Sequence, residues 1–147
     1  MVLAASTTGP GGRVTECYPS IRELSEHIPP RAREYLRQAR ETIAQPAGAV
    51  MLCASAVDAM LKHKKLSKGS LRDRINQAAE DHLITKEMAK WAHQVRLDAN
   101  DERHADDALP SATQEDAKRS VAFTEALAEF LYVLPARVTR GIAESKP

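Results

Sequence analysis

The stretch from Met88 to His104 constrains the fold more than any other part of the chain. Its apolar members recur every three or four residues and are Met88, Ala92, Val95 and Ala99. A second, polar set follows a similar period and consists of His93, Arg96, Asn100 and His104. Side chains spaced in this way share one face of an α-helix, whereas a strand alternates its faces with a period of two. The pattern therefore predicts a long helix with one buried face and one polar face.

The same periodicity predicts a helix in four other segments. The predicted helices lie at about 30–44, 46–64, 71–82, 86–104 and 114–134. Ser70, Thr85 and Thr113 are placed to cap the last three, and Pro135 is expected to end the final helix. Only 4% of the residues are aromatic and alanine is frequent, which favours close-packed helices over a sandwich or barrel. We predict an all-α fold, an antiparallel bundle of about five helices.

A chain of 147 residues is expected to form one domain. We predict a flexible N-terminal arm at 1–28, a helical bundle at 29–140 and a tail at 141–147. No apolar run is long enough to span a membrane, and Met1–Ser6 lacks the basic start of a signal peptide. Cys17 and Cys53 give no disulfide framework, so a reducing cytoplasm is the expected location.

Charge is unevenly distributed although the net charge is only +1. A basic cluster contains Lys62, Lys64, Lys65, Lys68 and Arg72, and an acidic run covers Asp98–Asp107. The basic residues suit the negative end of the second helix dipole. They are also candidates for a weak phosphate or nucleic-acid contact. Both interpretations stay open. The protein is expected to have one basic surface and one acidic surface.

Arg96, Asn100 and His104 are the candidate catalytic residues, because their spacing directs a guanidinium, an amide and an imidazole toward one volume. An imidazole can transfer protons near neutral pH, and arginine can hold a phosphate through two donors. The same three residues also suit a structural hydrogen-bond ladder. We predict no cofactor and no metal site, because the carboxylates near His104 are loosely spaced and are more simply explained as solvated. His93 is interpreted as a packed histidine rather than a second base.

Several segments in order carry a family resemblance. They are the helix Ala47–Asp58, the segment Ser70–Ile75, the stretch Trp91–Arg96 with Asn100 and His104, and the final helix from Thr113 to Pro135. Together they resemble the domain-of-unknown-function family numbered 4145, part of the wider HEPN group of small helical domains. The resemblance covers about 31–135, and its most specific part is Arg96, Asn100 and His104.

This resemblance implies a HEPN-like bundle that often forms homodimers and is linked to restriction enzymes and phage defence. Some HEPN domains are metal-independent ribonucleases with a site shared by two protomers, and others are inactive binding modules. The acidic residues around His104 would repel RNA. We therefore expect a non-catalytic interaction or dimerisation module with a restriction or defence protein as a candidate partner. The alternative is a toxin-like, metal-independent ribonuclease with a composite Arg96, Asn100 and His104 site across the dimer. RNA or a nucleotide is a candidate ligand.

Overall fold

A computed structural model describes residues 23–105 and 107–145, and within these ranges the chain is helical with no strand. In chain order the elements are α1 (Pro30–Glu41), α2 (Pro46–His63), α3 (Leu71–Glu80), α4 (Lys86–His104), α5 (Gln114–Ala128), a π-helical segment (Glu129–Val133) and α6 (Leu134–Glu144). The last three form one continuous rod, so the described chain contains five rods. This confirms the predicted all-α class and the number of helices.

Helix α2 is the centre of the bundle, because it contacts α1, α3, α4 and α5. Its sequence is apolar on nearly every side, as a helix surrounded by others requires. The α2 residues buried in the core are Ala49, Val50, Cys53, Ala56, Val57, Met60 and Leu61. Small side chains at Ala49 and Ala56 let neighbouring helices approach closely. The predicted role of this segment as the central helix is confirmed.

Side-chain caps fix the beginnings of the three helices for which the sequence predicts them. The Ser70 hydroxyl accepts a hydrogen bond from the backbone of Asp73, whose carboxylate accepts one from the backbone of Ser70. Thr113 and Asp116 form the same reciprocal pair at α5. Such pairs satisfy backbone N–H groups that have no partner within the helix. Local chemistry therefore sets the start of α3, and with it the position of the side chains that α3 directs toward α2 and α4.

The prediction that Pro135 ends the last helix is wrong. The chain stays helical through it, and α6 continues to Glu144. A proline inside a helix lacks a donor and its ring collides with the carbonyl four residues earlier. Here the preceding turn is a π-helix, in which the backbone N–H of Leu134 reaches the carbonyl of Glu129. This wider turn makes room for the ring and keeps α6 attached to α5.

The predicted N-terminal arm lies largely in residues 1–22, outside the described residues. Its last residue, Ile28, is buried in the core. Among the described helices, none combines the length and the apolar content that crossing a membrane would require.

Candidate functional site

A groove with a volume of about 570 Å³ lies between α2, α3 and α4. Its apolar lining comes from Met51, Ala54, Leu71 and Ala99. Its polar lining comes from Ser55, Asp58, Ser70, Arg72, Arg74, Arg96, Asn100 and Arg103. Four arginines and one carboxylate give the groove a strong positive bias in a protein whose net charge is only +1. A concave surface with this lining is suited to an anionic ligand.

Arg74 is the fixed arginine of the groove. Its Nε and Nη2 atoms lie 2.8 Å and 2.6 Å from Oδ1 of Asp58. A third donor, Nη1, bonds the carbonyl of Gly69. Gly69 adopts a positive φ of 75°, where a Cβ would also collide with Asp73. Arg74 is therefore a buried structural link between α2 and α3, and its charge is largely neutralised by Asp58.

Arg72, Arg96 and Arg103 differ from Arg74, because none of them forms a salt bridge with a described carboxylate. Arg103 donates to Oδ1 of Asn100 at 3.1 Å, which turns the amide toward the arginine. Arg96 uses its Nε for a contact within α4, and it lines the groove. Three guanidinium groups without a carboxylate partner therefore line one concave surface.

His93 orients Arg96. Nε of Arg96 donates to Nδ1 of His93 at 3.3 Å, so this ring nitrogen must be unprotonated. The other nitrogen, Nε2, then carries the proton and donates to Oδ1 of Asn76 at 2.9 Å. Burial lowers the pKa of His93, and the charges of Arg96 and Arg72 lower it further. His93 is thus a neutral bridge between α3 and α4, in agreement with its interpretation as a packed histidine.

The structure brings together only two of the three candidate catalytic residues. Arg96 and Asn100 line the groove, but His104 is exposed at the last turn of α4 and is not part of the lining. Helix geometry explains the difference at about 100° per residue. Arg103 lies about 20° around the helix from Arg96, whereas His104 lies about 80° away. Arg103 therefore lines the groove with Arg96, and it is a candidate residue that the sequence prediction did not include.

The predicted basic cluster is spread over several surfaces. Lys62 pairs with Asp58 at 2.9 Å, and the ammonium of Lys64 lies 4.5 Å from the centre of the Tyr132 ring. Lys65 and Lys68 line a second depression that also contains Asp73 and Asp81. Of the five predicted phosphate-contact residues, only Arg72 lines the groove. Lys62 lies within α2, whereas Lys64, Lys65 and Lys68 follow the end of that helix, in a segment where Lys65 has a positive φ.

Glu102, one of the acidic residues after Asn100, supports the segment before α5. The carboxylate of Glu102 accepts hydrogen bonds from the backbone of Ala112 and the hydroxyl of Ser111, and so joins α4 to the segment before α5. In the described part of the chain, histidine, cysteine and carboxylate side chains form no group of three or more that could hold a metal ion.

These features define the chain as an all-α domain with an arginine-lined groove at the junction of three helices. The family model described as "Domain of unknown function (DUF4145)" matches residues 37–145, which include every helix that lines the groove. The protein belongs to this family. Comparisons with curated proteins and with solved structures found no match.

Proposed function

We propose that this protein is a non-catalytic, HEPN-like interaction module whose groove binds the phosphate groups of RNA. The observation that carries the proposal is the set of three groove arginines without a carboxylate partner, Arg72, Arg96 and Arg103. Arginine suits phosphate because its planar fork donates two parallel hydrogen bonds and stays charged at all relevant pH values. The amide of Asn100 and the hydroxyl of Ser55 add neutral groups able to bond a ribose hydroxyl.

The lining favours recognition of the RNA backbone over its bases. No aromatic ring is among the residues that line the groove. Proteins that hold single-stranded nucleic acid through its bases stack them on aromatic side chains, whereas arginine contacts to phosphate carry no sequence information. RNA binding in the groove should therefore depend strongly on the salt concentration and only weakly on the sequence of the RNA.

The one carboxylate that lines the groove, Asp58, is paired with Arg74 and Lys62, which supports the non-catalytic part of the proposal. Cleavage through the 2′-hydroxyl needs one group to accept a proton and another to donate one. The groove lining of the described chain contains no imidazole. His93 has both ring nitrogens engaged by Arg96 and Asn76. The ribonuclease alternative would need His104 to reach a groove from a second copy of the protein.

The family resemblance supplies the rest of the proposal. It supports the HEPN-like assignment, a homodimer, and a place beside restriction or phage-defence proteins. In this setting a module that binds RNA without cutting it would position a partner enzyme on its substrate.

The test is binding of a fluorescent single-stranded RNA by anisotropy, in metal-free buffer, over a series of salt concentrations. The variant Arg96→Ala/Arg103→Ala should bind at least tenfold more weakly, and the slope of log affinity against log salt should become shallower by about 1.4, or about 0.7 for each lost phosphate contact on a single strand. The matched control is Arg37→Ala/Arg119→Ala, which removes the same charge from exposed arginines on α1 and α5.

Equal losses in the groove and control variants would mean that net charge, not the groove, attracts RNA, and would overturn the proposal. The RNA is also examined on a gel after incubation. Cleavage that disappears in His104→Ala would establish the ribonuclease alternative instead.

A further inference from the structure

The groove between α2, α3 and α4 has the size of a site for a short ligand. Its volume of about 570 Å³ falls within the range of about 300–1,000 Å³ that is typical of small-molecule sites. Proteins that hold a long single strand instead use a channel that follows its backbone over several nucleotides. An RNA strand can therefore place only about one or two of its nucleotides in this groove.

The three groove arginines without a described carboxylate partner are unevenly placed. Arg96 donates from Nε to His93, and the other ring nitrogen of His93 bonds Asn76 of α3. Arg72 lies one turn before Asn76 on the same face of α3. The pKa of His93 is lowered by burial and then by the charges of Arg96 and Arg72, so both guanidinium groups lie near the ring. Arg103 is about 10.5 Å farther along α4 than Arg96, at the other end of the groove.

We propose that the groove binds the 5′-phosphate end of a single-stranded RNA. A phosphate monoester at the end of a strand carries about 1.5–2 negative charges, whereas a phosphodiester within the strand carries one. The paired arginines, Arg72 and Arg96, match the charge of the monoester and its three acceptor oxygens. The single Arg103 matches the phosphodiester that follows. This inference rests on the proposed function and names the part of the RNA that the groove holds.

Asn100 assigns the direction of the strand. It lies between Arg96 and Arg103 along α4, and its Oδ1 accepts a hydrogen bond from Arg103 at 3.1 Å, which leaves the amide nitrogen as a donor. The ribose of the first nucleotide spans the same interval. Its 2′-hydroxyl is adjacent to the 3′-phosphate, so the amide reaches this hydroxyl when Arg103 holds the 3′ phosphodiester. The terminal phosphate at Arg72 and Arg96 is then the 5′-phosphate.

Fluorescence anisotropy with three internally labelled RNAs of one sequence tests the inference. One RNA carries a 5′-phosphate, one carries a 3′-phosphate, and one has hydroxyl groups at both ends. The 5′-phosphate RNA should bind at least about tenfold more tightly than the other two, because it alone presents a monoester to Arg72 and Arg96 in the required direction. The 3′-phosphate RNA is the matched control, since its net charge is the same.

Two variants locate the terminal phosphate. Arg72→Ala should reduce the preference for the 5′-phosphate RNA about fivefold or more, because it removes half of the arginine pair. Arg103→Ala removes the same charge from the other end of the groove, so it should weaken the binding of all three RNAs by a similar factor and keep the preference. Both side chains are exposed, and circular dichroism checks that both variants keep their helix content.

A competition experiment separates an RNA end from a free nucleotide. The 5′-phosphorylated dinucleotide pApA should displace the labelled RNA at a lower concentration than AMP does, because AMP has no phosphodiester for Arg103. Equal displacement by pApA and AMP would overturn the assignment to an RNA end.

Equal affinities for the 5′-phosphate RNA and either of the other two RNAs would also overturn the inference, as would an Arg72→Ala variant that keeps the full preference. If Arg96→Ala/Arg103→Ala still weakens RNA binding in that case, the groove proposal stands and only the choice of the RNA end is wrong. A protein that binds none of the three RNAs would overturn the groove proposal itself.

Discussion

Removing the carboxylate of Asp58 should destabilise the junction on which the groove is built. The perturbation is Asp58→Ala, which leaves Arg74, whose side chain is 9% exposed, without its anionic partner. Loss of one partner from a buried ion pair costs about 3–5 kcal/mol. The Asp58 side chain is 24% exposed and Arg74 keeps its bond to Gly69, so water and the remaining bond reduce the cost. We expect about 2–3 kcal/mol, or a loss of about 6–9 °C in Tm.

Urea denaturation followed by circular dichroism measures this loss. The control is Glu41→Ala, which removes a carboxylate from an exposed ion pair on α1 and should cost less than about 1 kcal/mol. Asp58→Leu/Arg74→Met removes both charges and should recover part of the stability, because no unpaired buried charge remains. A free energy of unfolding for Asp58→Ala equal to that of Glu41→Ala would refute the argument.

Three further predictions follow from the described contacts. Arg96→Ala should raise the pKa of His93, which burial and nearby arginines now lower, and an NMR titration of the imidazole should show it. Because folding lowers that pKa, the contribution of His93 to stability is present above pH ~6.5 and is lost as the pH falls through the lowered value. His104→Ala should change the unfolding free energy by less than about 0.5 kcal/mol in thermal melts, because the side chain is exposed. Burial raises the pKa of the Cys53 thiol to about 12, so in a Cys17→Ser background it should react with a disulfide reagent only after unfolding.

The helices and the core were predictable because they depend on local pattern. Spacing of three and four residues identified the buried faces of α2 and α4, and Val57 and Val95 are buried as the period requires. The caps were predictable for the same reason, since Ser70 and Thr113 act on backbone groups within three residues. Such features need no knowledge of the tertiary arrangement.

The groove was only partly predictable, because most of the residues that line it come from different helices and meet only in the folded protein. The spacing within α4 identifies Arg96 and Asn100. The pairing of Arg74 with Asp58 joins residues 16 positions apart on two helices, and no local pattern encodes it. The positions of Lys64, Lys65 and Lys68 likewise depend on the segment that follows α2. Passage of the helix through Pro135 depends on the π-helical turn before it, which periodicity does not reveal.

NMR observation of the arginine side chains tests the central claim most directly. Protein labelled with ¹⁵N is titrated with a short single-stranded RNA, and the Nε–H signals are followed. Binding in the groove predicts that the signals of Arg72, Arg96 and Arg103 shift together and that the shifts weaken as salt is added. The signals of Arg37 and Arg119 on the outer surfaces should stay in place. Shifts at Arg37 and Arg119 equal to those of the groove arginines, or no shift at any of the three groove residues, would contradict the account.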